Sequence, residues 1–144
     1  DAMSERVLLI DDEKEFIEVM SERMQTRDID VTTASTARDA LALVEKESYD
    51  AIILDLQMPE MDGLQALERL KAINPDLQVI LLTGYATVEK GVQAMKLGAT
   101  DVLEKPADIQ TLTEKIRKAH ARKIILVEKE NEAKIRAILG SKAW

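Results

Sequence analysis

Short apolar runs alternate along this chain with longer stretches in which apolar residues return at every third or fourth position. Val7-Leu8-Leu9-Ile10, Ala51-Ile52-Ile53-Leu54 and Leu77-Gln78-Val79-Ile80-Leu81-Leu82 carry little or no polar alternation. Such runs predict strands buried on both faces, as in the middle of a parallel sheet. Ile29 to Ala34 alternates and predicts a shorter strand, and Thr100 to Glu104 a fifth. Between them, Phe16, Ile17, Met20 and Met24 predict a helix over Glu13 to about Thr26, with Asp12 and Glu15 as a capping box. Ala37, Ala40, Leu41 and Val44 mark a second helix from Thr36 to Lys46, and Leu64, Leu67, Leu70 and Ile73 a third that stops at Asn74-Pro75. Val88, Val92 and Met95 mark a fourth, stopped by Gly98. From about Asp108 a helical pattern runs on towards Leu139. Five strands alternating with helices over short connections predict an α/β fold: a five-stranded parallel sheet with helices on both faces.

Composition narrows the function. A chain of 144 residues, 46% hydrophobic, suits one domain with room for one added element. The net charge of −7 argues against a direct grip on nucleic acid by this segment. No apolar run approaches the ~20 residues that span a bilayer, and Asp1-Ala2-Met3-Ser4 does not open a signal peptide. Without cysteine there is neither a disulfide framework nor a thiolate metal site, and a cytoplasmic location is expected.

The chemistry sits where the strands end. The first ends in Asp11-Asp12, the third in Asp55, the fourth in Thr83 and the fifth in Lys105. Taken singly, Asp55 reads equally well as a turn or capping residue, Thr83 as a helix start and Lys105 as a solvated lysine. In a doubly wound sheet, however, all these ends share the edge where such folds bind ligands. Crowded carboxylates favour protonation or a bound cation. Oxygen donors without imidazole or thiolate select a hard ion, and Mg²⁺ fits best. A cation beside carboxylates, a hydroxyl and an ammonium suggests phosphoryl chemistry, with one carboxylate as nucleophile and an acyl phosphate as product. Asp55, on the central strand, is the candidate.

Asp11-Asp12, Asp55 with Met58-Pro59 and Met61-Asp62-Gly63, Thr83-Gly84 and Lys105-Pro106 together resemble the receiver domain of two-component response regulators. The resemblance spans roughly residues 5 to 120, leaving 121 to 144 as a helical extension or linker. It implies a flavodoxin-like sheet of order 2-1-3-4-5. It also implies that Asp55 is phosphorylated by a sensor histidine kinase. Mg²⁺ would be held by the Asp12 and Asp55 side chains and the Gln57 backbone carbonyl, with Asp11 reaching it directly or through water. Lys105 would pair with Asp55 or the phosphoryl group, and Thr83 would bond a phosphoryl oxygen and move inward to report the event. In the family the Lys105–Pro106 bond is often cis.

Some positions depart from the family or tune it. Val102 stands where many members carry an aromatic residue whose rotation accompanies the threonine's movement. Tyr85, two residues after Thr83, could shield the phosphoryl group from water, and Gln57 could tune the same rate. A second acid at Gln57 would suit a phosphatase acting on free substrates, and the glutamine argues against one. The absence of a glycine-rich loop after the first strand argues against a nucleotide or flavin module. His120 reads as a surface residue rather than a phosphorelay histidine. The continuous helix expected from Asp108, about 30 residues and roughly 45 Å long, places Ile124, Val127, Asn131 and Ile138 on an approximate seam that Lys134 breaks. A second copy of the chain is its first candidate partner and an output domain the next. The segment reads as a stand-alone receiver or a piece of a longer regulator.

Overall fold

A computed structural model of the chain describes residues 4–58, 61–84 and 88–141. Strands and helices alternate throughout: β1 (Arg6–Ile10), α1 (Lys14–Gln25), β2 (Asp30–Ala34), α2 (Ala37–Lys46), β3 (Ala51–Asp55), α3 (Gly63–Ile73), β4 (Val79–Thr83), α4 (Val88–Lys96), β5 (Asp101–Glu104) and α5 (Ile109–Ser141). All four strand pairings are parallel, in the order β2-β1-β3-β4-β5.

The two-residue period of the strands divides the core into two layers. Leu8, Ile10, Ile52, Leu54, Val79 and Leu81 point to one face and meet Ala37, Ala40 and Val44 of α2, Ala66, Leu67 and Leu70 of α3, and Ala94 of α4. Val7, Leu9, Ile53, Ile80 and Leu82 point to the other and meet Met20 and Met24 of α1 and Leu112, Ile116 and Ala119 of α5. Every residue of β3 and β4 is buried, which is why their sequences are unbroken apolar runs ending in one polar residue. β5 is a half-buried edge strand.

The helix ends follow local chemistry. Thr36 caps α2 by accepting the Asp39 N–H, and Asp62 caps α3 by accepting that of Leu64. Gly98, at φ +97°, closes α4. The expected capping box on α1 does not form. The Asp11 carboxylate accepts the Glu13 N–H, so the helix starts at Lys14 with Glu13 as its N-cap, and Asp12 falls one residue outside.

The 33-residue α5 is unbroken and about 50 Å long. Its first turns are buried in the domain; farther on, Ile124, Val127, Ile135, Ile138 and Leu139 are exposed. Lys123 ties the start of this extension to the amino edge of the sheet. Its ammonium donates to Ser48 Oγ (3.0 Å), the Tyr49 carbonyl (3.0 Å) and Asp50 Oδ1 (3.3 Å). Asp50 also accepts the Arg6 N–H at 2.7 Å, joining the entries of β1 and β3 to the emerging helix. Among the described residues no helix is long and apolar enough to cross a membrane.

Candidate functional site

The parallel sheet brings the strand ends to one edge. Asp11 follows β1, and its N–H is held by the Ala34 carbonyl at 3.1 Å. Asp55 is the last residue of β3, beside Leu82 of β4; Thr83, one residue further, pairs with Glu104 of β5. The Lys105 N–H then bonds the Thr83 carbonyl at 2.8 Å, fixing the start of the loop that carries the lysine. The Lys105–Pro106 bond is cis. Thr83 is wholly buried at this edge.

The side chains converge. Lys105 Nζ lies 2.7 Å from Asp11 Oδ2, 3.7 Å from Asp55 Oδ2 and 3.7 Å from Glu13 Oε1. Asp11 and Asp55 are 1% and 3% exposed, whereas Asp12 is exposed. One carboxylate oxygen from each of Asp11, Asp12 and Asp55 can be chosen so that all lie within 4.8 Å of one another. Asp55 Oδ1 accepts the Gln57 N–H at 3.1 Å. The Gln57 backbone is held by a bridge to Asp62, and Gly63 N–H bonds the Leu56 carbonyl at 3.1 Å, so the loop folds back over the end of β3.

Burial pushes the Asp55 carboxyl up to about 6; the Gln57 N–H opposes this, Asp11 adds to it, Lys105 opposes it and Asp12 adds to it. Burial also works against the Lys105 ammonium, but the hydrogen bond to Asp11 and the charges of Asp11, Asp55 and Glu13 outweigh it and leave its pKa raised. Two buried carboxylates and a third at the rim face one ammonium. A hard divalent cation would supply the missing positive charge, and an all-oxygen set of this kind suits Mg²⁺.

Other expected residues fall in different places. Val102 pairs with Leu81 and is half-buried, beside a shallow, apolar surface formed with Val88, Val92 and Met95. Tyr85 lies outside the described residues, as does Pro59. His120 sits 3.5 Å from Asp50 at the amino edge. Asp50 precedes β3, so His120 is a full strand length, ~16 Å, from the carboxylate cluster. One neighbour escaped sequence reasoning: the Phe16 ring lies under Lys105 Nζ, 4.3 Å from ring centroid to nitrogen. Helical spacing marks Phe16 only as apolar, and nothing local to either residue signals that α1 and the β5–α5 loop meet.

Known proteins resemble this chain in sequence and in fold. The transcriptional regulatory protein ZraR of Salmonella typhimurium is 35% identical over 115 residues, covering 80% of this chain and 26% of that protein. The chain thus spans about a quarter of the length of this relative. The beryllofluoride-activated NtrC4 receiver domain dimer matches with a TM-score of 0.78 and 32% identity, covering 82% of this chain and 98% of that one. A response regulator protein from Burkholderia pseudomallei, solved with a phosphorylated aspartic acid, calcium ion and citrate, matches with a TM-score of 0.73 and 26% identity, covering 95% and 86% of the two chains. Residues 7–117 match the family described as the response regulator receiver domain. A parallel sheet of this order, with acidic strand ends gathered around one lysine, agrees with that match, and the chain belongs to the receiver domain family of two-component response regulators.

Proposed function

We propose that Asp55 accepts a phosphoryl group from a phosphohistidine of a sensor histidine kinase, and that this event sets the state of a signalling switch. The observation that carries the reading is the buried Asp55 carboxylate beside Asp11, Asp12 and Lys105 at one sheet edge. The phosphorylated aspartic acid of the Burkholderia pseudomallei relative supports it.

In the proposed reaction an Asp55 carboxylate oxygen attacks phosphorus, the bond from phosphorus to the donor nitrogen breaks, and its electron pair returns to the imidazole. Asp12 and Asp55 side chains and the Gln57 carbonyl would hold Mg²⁺, with Asp11 bonded to it directly or through water. When bound, the cation neutralises charge on the phosphoryl oxygens. Lys105 pairs with one phosphoryl oxygen, and the Thr83 hydroxyl donates to another. Loss of the group to water resets the switch, and Tyr85 and Gln57 tune that rate.

The signal then travels from Thr83 through the surface of α4, β5 and α5. With Val102 in place of an aromatic side chain, no ring is available there to rotate. Movement of the loop between β4 and α4 would carry the change instead, by shifting an existing equilibrium. Residues 121–144, as an extension or linker, would deliver it to a second copy of the chain or to an output partner. The charge of −7 favours an output on protein rather than direct nucleic-acid contact by this segment.

Beryllofluoride, a phosphoryl mimic, tests the switch. Together with Mg²⁺ it is expected to stabilise the protein against heat beyond what Mg²⁺ alone does, and to shift its sedimentation from monomer towards dimer, which neither component alone should do. Unchanged sedimentation in all four conditions would remove the dimer, and unchanged melting would remove the phosphoryl site.

A further inference from the structure

Lys105 has an attractor that the proposed chemistry does not compete for. Its ammonium lies near Asp11, Asp55 and Glu13 and over the face of Phe16. With a phosphoryl group on Asp55 and a cation facing Asp11 and Asp12, the pull of these carboxylates on the lysine is weakened. Glu13 is 64% exposed, and water screens its pull. Phe16 is half-buried and packed against the layer that contains Met20 and Met24. An aromatic face attracts an ammonium through its quadrupole and carries no charge with which to bind Mg²⁺ or repel a phosphoryl group.

We propose that Phe16 is a positioning residue for phosphoryl acceptance: its ring keeps the Lys105 ammonium at the mouth of the crevice while Asp11 and Asp55 are engaged elsewhere. The proposal rests on Asp55 as the phosphoacceptor. It adds that the lysine's reach is set from α1, by a contact between side chains far apart along the chain.

The sequence offers an unusually clean test, because Phe16 is its only phenylalanine. Growth on fluorinated phenylalanine therefore alters this one ring, with little change of shape. Singly and triply fluorinated rings have progressively weaker quadrupoles. The rate of Asp55 phosphorylation by acetyl phosphate should fall in that order, by about threefold to tenfold for the triply fluorinated ring. Phe16→Tyr should keep the rate and Phe16→Leu should lose about as much as the triply fluorinated ring. The Lys105 side-chain methylene protons next to nitrogen should show a ring-current shift in the beryllofluoride form, absent in Phe16→Leu. Equal rates across the fluorinated series, or no ring-current shift in the activated form, would overturn the proposal. So would a defect in Phe16→Leu confined to transfer from a kinase, which would make Phe16 a docking residue. If unmodified protein takes no phosphoryl group on Asp55, it is the underlying reading that fails. If it does and the fluorinated series matches it, this inference alone fails.

Discussion

Asp55→Asn is expected to abolish phosphoryl acceptance, by at least a hundredfold, and at the same time to make the unphosphorylated protein more stable at alkaline pH. The two effects share one cause. β3 delivers Asp55 to a buried position beside Asp11, where its charged form is disfavoured and its carboxyl titrates near 6 rather than 3.8. Between those values the folded chain holds more protons at Asp55 than the unfolded chain. Stability therefore falls as pH rises through that window and stays low above it. The penalty at full ionisation is about 3 kcal/mol at most. Asparagine removes the charge, and its amide oxygen can still accept the Gln57 N–H that Asp55 accepts now. Urea unfolding should place the variant about 2 kcal/mol above the parent at alkaline pH and level with it below the ordinary carboxylate range. A variant no more stable than the parent at alkaline pH would mean that the Asp55 charge is already well compensated.

Gly63→Ala is expected to be costly in a different way. A methyl at this position would overlap Leu56 Cα and lie 2.8 Å from the Leu56 carbonyl oxygen and 2.9 Å from its carbon. These are backbone atoms at the end of β3 and cannot swing aside as a side-chain tip would. Relief requires α3 or the loop between β3 and α3 to move, at about 3 kcal/mol. The loop also carries Gln57, whose carbonyl is a proposed cation ligand, and is closed by the Gln57–Asp62 bridge. The variant should therefore lose stability and Mg²⁺ affinity together. Thermal unfolding and a Mg²⁺ titration check both; a variant that melts with the parent would show that the loop yields freely.

What the residues reveal in advance depends on the range of the interaction. β3 and β4 are legible because burial on both faces leaves no choice but an unbroken apolar run. Asp11, Asp12, Asp55, Thr83 and Lys105 are legible as a group because parallel strands must end on the same edge, whatever the loops do. Alternation also places helices on both faces, and the layers divide as α2, α3 and α4 against α1 and α5. At the start of α1, Asp12 fits a local capping pattern, whereas it is Asp11, paired with Lys105 in the crevice, that takes the N–H of Glu13. Two further contacts are long-range and leave no periodic trace. Phe16 beneath Lys105 looks like any core residue of an amphipathic helix. Lys123 looks like any solvated lysine of α5, yet its ammonium meets three acceptors across the residues that lead into β3. The seam on the extension is likewise incomplete in sequence: Ile135, one residue after the interrupting Lys134, joins Ile124, Val127 and Ile138 among the exposed apolar side chains.

The most direct measurement is to map the phosphoryl group by tandem mass spectrometry after reaction with acetyl phosphate, with and without Mg²⁺. A single base-labile, hydroxylamine-sensitive group on the peptide containing Asp55, formed only when Mg²⁺ is present, is the expected result. Modification at another residue, or equal labelling of Asp55 in the presence of a chelator, would contradict it.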